Sequence, residues 1–513
     1  MLSCTVSSCA VALSCTAVVA VSGCTPAPAT LVAAGPWRPP AGNPPATVTR
    51  VPPSVSVLAS TAPDALSAAF AARLFKTAPV VVVAAATSGA LEAAERTALA
   101  AHAPLLVSAG TAGAPLVAEI KDLNPRAVLA VRVAAGRLAA RLPGIRVITR
   151  AALLPKTGAA APLRRVAVLV RRTAGTGAGT AGAVTTGALT TMARVAGATV
   201  VTVGGYDPRA DPAAIRALAK ARPREVVAIG AGFGPASTLA ARVAVAATGT
   251  QLPGGGQVLF PEHRIVALYG NPTTPYLGVL GKQDLPASIT RAERAGAMYR
   301  PLSRMPVVPA FEIIATVAQG SPGPDGTYSY ETPLSMLAPW VQRATAAGLY
   351  VILDLQPGRA GLLTQAKLYQ SLLEEPDVGL ALDAEWKLQP GQLPLRQIGS
   401  VSIGEVNSVV RWLAALTARH HLPQKLLVLH QFRLSMIADE RDLDTSHDDL
   451  AIVIHMDGQG TPAMKLQTWD AVTAAAPPGV FFGWKDFTVK DHPMLTPSQT
   501  LANTPAPVMV SYQ

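Results

Sequence analysis

Beyond Cys24 the chain has no cysteine. Cys4, Cys9, Cys15 and Cys24 all fall within the first 24 of its 513 residues. Thiols gathered at one terminus cannot staple a folded domain, and they leave the remainder without a cysteine-based zinc site. Charge is sparse as well: 14% of residues are charged against 50% hydrophobic, a balance that supplies a sizeable core and excludes general disorder. The 43 basic and 31 acidic residues leave a net charge of +12, but the basic residues are scattered. Without a basic run interleaved with aromatics, nucleic acid is not an expected partner. Diffuse positive charge instead favours anionic surfaces. No tight spacing of His, Asp and Glu marks a metal site, so neither metal nor other cofactor is expected. Lys and Arg are also missing from residues 1–9.

What is present begins with AVALSCTAVVAV (residues 10–21), an apolar run too short to span a bilayer comfortably. It is followed by VSGC and Pro-rich sequence, the order expected of a secretory signal. Val21-Ser22-Gly23-Cys24 resembles the lipobox of bacterial lipoproteins, in which the cysteine becomes the lipidated first residue of the mature protein. The resemblance implies a signal peptide over 1–24, lipidation at Cys24 and an extracytoplasmic protein anchored to the cell membrane. Residues 25–54 repeat Pro, Ala, Thr and Gly with almost no charge and read as an extended spacer.

From residue 55 apolar β-type runs alternate with Ala-rich segments of helical spacing, which predicts parallel βαβ units. The runs are SVSVLA (54–59), PVVVVAA (79–85), PLLVSAG (104–110), RAVLAVR (126–132) and GIRVITR (144–150). The stretch APVVVVAAATSGALEAAERTALAAHAPLLVSAGTAGAPLVAEIKDLNPRAVLAV resembles the cell-wall-binding repeat 2 family, with its GAPLV-type loop and the Asn124-Pro125-Arg126 step before a strand. That resemblance covers 55–150 and implies an α/β domain that binds cell-wall polymer. A second doubly wound block over 163–255 contains RVAVLVRR (165–172), ATVVTVGG (198–205) and REVVAIGAG (224–232), and looks like one lobe of a solute-binding protein. Gly177, Gly179 and Gly182 match a dinucleotide fingerprint in spacing. The next strand ends in Gly204-Gly205 instead of the acid that would hold a ribose, which favours a plain Gly-rich turn.

After LPGGGQ (252–257) come eight apolar strand candidates: 264–270, 307–318, 349–355, 378–384, 425–431, 450–457, 479–484 and 506–512. A helix from Glu405 to about Ala418 carries Val406, Val409, Val410, Leu413 and Leu416 on one face, and Ser402 with Glu405 forms a capping box. Eight strands with intervening helices over 262–513 predict a (β/α)8 TIM barrel. The expected fold is thus α/β throughout, with N-terminal doubly wound parallel regions and a C-terminal barrel.

In such a barrel the C-terminal strand ends share one mouth. Polar groups collect there: Asp354, Asp383 with Glu385, His430 with Gln431, His455 with Asp457, Trp484 with Lys485, and Tyr512. Asp383 and Glu385, two apart, should share a face. Crowded carboxylates divide into a proton donor and an ionised base, the pair that acetal hydrolysis needs. LDAEW (382–386) resembles the acidic fourth-strand motif of glycoside hydrolase barrels, including the D-x-E strand of lysozyme-type muramidases, whose first strand ends in an Asp where this one has Tyr269-Gly270-Asn271.

The resemblance implies Asp383 and Glu385 as catalytic candidates, and their strand-end positions add Asp354 and Asp457. Trp386, His430, Gln431, His455, Trp484 and Tyr512 are the substrate-binding candidates, and Tyr328 and Tyr330 could add stacking surface. The partners expected are a glycan or cell-wall polymer, and the membrane through the lipid. A non-catalytic surface protein with a degenerate, polymer-binding barrel is the alternative; a solute receptor built on 163–250 is a third.

Overall fold

The computed structural model describes residues 44–110, 112–172 and 181–513. Cys24, the signal and most of the spacer therefore lie outside the described residues, as do Gly177 and Gly179; Gly182 lies in the helix Ala181–Val195.

The eight C-terminal strands close into a parallel barrel. Arg264–Gly270, Val307–Ala318, Tyr350–Leu355, Val378–Asp383, Lys425–Gln431, Leu450–Met456, Phe481–Asp486 and Met509–Tyr512 pair in sequence order, and the last returns to the first through Ile265↔Met509. Alternation gives each strand two apolar faces. Inward, Ile265, Ala267, Ala310, Ile352, Ala381, Val428, Val453 and Met509 fill the lumen as one core. Outward, Val266, Phe311, Leu353, Leu380, Leu427 and Ile452 meet the surrounding helices in a second core. The second strand runs on past the barrel wall and pairs antiparallel with Ser329–Glu331 at the mouth.

The amphipathic helix spans Ile403–Arg419 and buries the five predicted apolar residues. Ser402 caps it by accepting from the Glu405 N–H at 3.3 Å. The other arm of the expected capping box is not made. Glu405 instead accepts from Lys387 Nζ at 2.8 Å, a charge-assisted bond, and from the Leu362 N–H at 2.9 Å.

The lower end of the lumen is stoppered from outside the eight strands. Leu252, Leu259 and Phe260 join the lumen core, with the Phe260 ring 5.3 Å from that of Phe481. The barrel as a packed unit thus takes in part of the segment before residue 262.

The N-terminal strands form two four-stranded parallel sheets. One is ordered Leu105–Ser108, Val80–Ala85, Ala127–Val131, Arg146–Ile148; the other Val55–Leu58, Glu225–Ile229, Val166–Arg171, Thr199–Val203. Val55–Leu58, grouped by its position with 55–150, is thus a strand of the second sheet. The two sheets also share one core, in which Phe70 and Leu74 meet Val168, Leu189 and Met192. Gly187 allows this approach, since a Cβ there would lie 2.9 Å from the Leu91 side chain. Val48–Thr49, within the expected spacer, pairs antiparallel with Phe75–Thr77.

A charge cluster ties this part to the barrel floor. Arg209, nearly fully buried, pairs with Asp207 at 2.8 Å and with Asp448 at 2.7 Å, and Arg242 adds a contact to Asp448 at 2.8 Å. Asp448 precedes the sixth strand, so these contacts lie at the N-terminal end of the barrel and leave the C-terminal mouth uncovered.

Candidate functional site

Above the apolar lumen layers lies a polar one. The inward positions at the C-terminal strand ends carry Tyr269, Glu312, Asp354, Asp383, His430, His455, Lys485 and Ser511, all essentially inaccessible. So many ionisable groups out of water must be paired or neutral. His430 Nε2 lies 2.8 Å from Glu312 Oε1 and its Nδ1 lies 3.1 Å from Asp457 Oδ2. A carboxylate at each ring nitrogen favours the imidazolium, which hydrogen-bonds to Glu312 through Nε2 and meets Asp457 at Nδ1 as an ion pair. Lys485 Nζ sits 3.1 Å from Asp457 Oδ1 and 3.5 Å from the Tyr269 ring centroid. Tyr269 donates its hydroxyl proton to Asp354 Oδ2 at 3.0 Å and accepts from Gln356 at 3.2 Å.

Burial and charge sort these groups into two classes. Burial pushes the Asp383 carboxyl far up, reinforced by Asp354, and its Oδ1 has no hydrogen-bond partner among the described residues. Burial with the Glu312 charge raises Asp354 to about 7, against the opposing pull of His430. Glu385 is also raised, by burial and by Asp457. For Asp457 burial acts upward too, but Lys485 and His430 outweigh it and hold the group far below the ordinary range, ionised. Glu312 is likewise lowered against its burial by His430. Burial opposes the charged form of His430, yet Glu312 and Asp457 raise it well above a free imidazole. His455, with no facing carboxylate of its own, falls to about 3 through burial and stays neutral, its Nε2 2.7 Å from Ser511 Oγ. Its place depends on Gly483, where a Cβ would come within 2.1 Å of His455 Nδ1.

Asp383 is the last residue of its strand, and Glu385 stands on the one-turn helix Ala384–Trp386 beyond it. The common face expected from strand alternation is thus replaced by a turn, which still directs both acids to the mouth. Nearest carboxylate oxygens of Asp383, Glu385 and Asp457 all lie within 4.8 Å of one another. The 387–400 loop returns against this turn at Gly399, whose N–H donates to the Glu385 carbonyl at 2.6 Å and whose missing Cβ would lie 2.4 Å from that oxygen. Asp383, Glu385, Trp386, Asp457, Lys485 and Arg433 help to line an open cleft of about 490 Å³. Glu385 and Trp386 are half-exposed there, while Asp383 is buried beneath them.

Of the sequence-predicted residues, Asp354, Asp383, Glu385, Asp457, Trp386, His430 and His455 gather at the mouth. His430 and His455 have no exposure and act on the layer beneath the cleft. Gln431, Trp484 and Tyr512 do not gather there. Each is one residue out of phase with an inward neighbour (His430, Lys485 and Ser511), so strand alternation turns it toward the helices. Gln431 donates to Glu440 at 2.7 Å, Trp484 packs at a tilt with its ring 5.5 Å from that of Trp469 and donates to Asp486, and the Tyr512 hydroxyl meets that of Tyr299 at 2.7 Å. None can touch a ligand in the cleft. Tyr328 and Tyr330 also stand off its lining, Tyr328 beneath the Arg359 guanidinium.

Glu312 and Tyr269 carry site chemistry that sequence reasoning passed over. Glu312 is the one charged residue in VVPAFEIIATVA, and the alternation Val308, Ala310, Glu312 would have marked it as inward.

Asp383, Glu385 and Asp457 are the carboxylates here that could ligate a hard cation. Lys485 already sets its ammonium against Asp457, which supplies the positive charge that a metal would bring.

The chain matches no protein-family model and no curated protein. Among solved structures it is similar to Cwp6 from Clostridium difficile, at 13% identity with a TM-score of 0.18, over 75% of this chain and 63% of that one. The chain thus spans less than two thirds of that protein's length, and a likeness of this size carries no functional weight.

Proposed function

We propose that the barrel is a glycoside hydrolase of the retaining kind, with Glu385 as the acid–base and Asp457 as the nucleophile. One observation carries this: two carboxylates with opposite protonation preferences face each other within 4.8 Å in an open cleft. Retaining enzymes set their carboxyl groups roughly 5–5.5 Å apart, whereas inverting ones need roughly 6.5–9.5 Å to admit a water. Glu385, raised and half-exposed, would give its proton to the leaving oxygen as the glycosidic C–O bond breaks. Asp457, ionised and oriented by Lys485 and His430, would form the ester bond to the anomeric carbon. Water, losing a proton to the Glu385 carboxylate, would then displace Asp457 and restore both groups. Trp386 offers the flat apolar surface on which a sugar ring stacks.

The same proposal places the protein outside the cytoplasm, lipid-anchored at Cys24, with the N-terminal sheets binding envelope polymer. Its support is the VSGC stretch and the GAPLV-type repeat likeness in the sequence. A glycan-binding barrel without turnover is the second possibility, favoured by one feature: Asp457 is already neutralised by two cations at 3.1 Å.

The test is a hydrolysis screen of residues 44–513 against envelope and environmental glycans, with Glu385→Gln as control. Turnover reduced about 10²–10⁴-fold in the variant, with the fold intact, is the expected result. Equal turnover in both proteins removes Glu385 from the mechanism; binding without turnover in the unaltered protein selects the second possibility.

A further inference from the structure

The cleft does not end at its walls. Two smaller chambers open from it on opposite sides. One, of about 390 Å³, shares Glu385, Trp386 and Arg433 with the cleft and runs under the 387–400 loop to Arg396. The other, of about 190 Å³, shares Phe487, Lys490 and Gln513 and runs to Tyr276 and Lys282. The shared residues follow the fourth and fifth strands on one side and the seventh and eighth on the other, so the acids lie between the two chambers, which with the cleft form a trough. Each arm pairs an accessible aromatic ring with two cations: Trp386 with Arg396 and Arg433 on one side, Tyr276 with Lys282 and Lys490 on the other. Tyr276 is 90% exposed and packs against little of its own chain.

These four cations make no ion pair with any carboxylate among the described residues. Beyond Glu385, no acid lines either outer chamber. All four are exposed to solvent, unlike the buried and paired Arg209, Lys465 and Lys485. Cations left unpaired along a concave, aromatic-bearing trough concentrate negative charge there.

We infer that the trough binds an extended glycan chain carrying repeated negative charge, laid across both arms so that the acids meet an internal linkage. This rests on the proposed hydrolytic site for the position of the cut, and names the substrate's class and mode of binding. The repeated anion can be a ring carboxylate or a backbone phosphate, since both suit Lys and Arg; the probes below separate them.

The test is calorimetric binding to full-length Glu385→Gln protein, which holds substrate without cutting it. The probes are a polyuronate, a phosphate-linked glycan polymer and a neutral N-acetylglucosamine oligomer of matched length. Tighter binding of at least one anionic polymer than of the neutral one is expected, weakening as salt rises. Within the same background, Lys282→Ala/Lys490→Ala and Arg396→Ala/Arg433→Ala should each weaken that binding about tenfold, as two exposed charge contacts allow. Arg396→Lys/Arg433→Lys should keep most of it. Equal affinity for the neutral oligomer overturns the inference. So does an arm whose double substitution changes nothing, because the chain would then occupy only one side. If the unaltered protein binds the polyanion but cuts nothing, hydrolysis fails while this inference stands; if it cuts the neutral chain as well as the charged, the reverse holds.

Discussion

Replacing Glu312 by Gln tests the electrostatic design of the lumen. The carboxylate is fully buried, and its Oε1 accepts from His430 Nε2 at 2.8 Å. Gln keeps the shape and removes the charge that does most to keep His430 protonated. Removing one partner from a buried ion pair costs about 3–5 kcal/mol when the other charge stays. His430 can shed its proton, so the loss should fall near the lower end, at about 3 kcal/mol.

The pH dependence follows from the two shifts. Glu312 is lowered from 4.5, so its share of the stability is present above about pH 4.5 and is lost as pH falls through the depressed value. His430 is raised from 6.5, so its share is complete below about pH 6.5 and is lost as pH rises through the elevated value. The penalty of Glu312→Gln should thus be greatest between these two pH values and shrink on either side. Urea unfolding of both proteins at several pH values reads it directly. A penalty under about 1 kcal/mol in that window, or one independent of pH, would falsify the ion-pair account.

Three further outcomes are expected. Turnover should decline as pH rises through a value above the ordinary 4.5 of Glu385, while Asp457 stays ionised across the accessible range; a pH–rate profile that climbs steadily into alkali refutes the assignment of Glu385 as acid. Phe260→Ala should cost about 3–5 kcal/mol in urea unfolding, because it opens a cavity against Phe481 at the lumen floor, and a loss under about 1 kcal/mol would mean that the stopper is dispensable. Cys24→Ala should release the protein from the membrane fraction of cells, and unchanged partition sinks the lipid anchor.

The eight barrel strands were legible because each is a short apolar run bounded by helix-type spacing, and such runs differ in kind from their flanks. The helix Ile403–Arg419 was legible for the same reason, with a cap residue at its start. The list of polar strand ends was correct as a list. What alternation decides, which of two adjacent polar residues enters the lumen, depends on the register of closure. That is why His430 and Lys485 lie inside while Gln431 and Trp484 pack outside.

Long-range pairing was less legible still. Val55–Leu58 bonds to a strand some 170 residues later (Val55↔Val226), and nothing in four alternating residues specifies that partner. Glu312 carried a visible signal, a lone acid in an apolar strand, but its meaning required His430 to arrive from the opposite wall. The class of fold and the inventory of chemistry could be read directly, since both follow from local residue patterns. Which carboxylates stay charged follows from barrel closure, which brings cations within about 3 Å of some of them in a buried, low-dielectric layer.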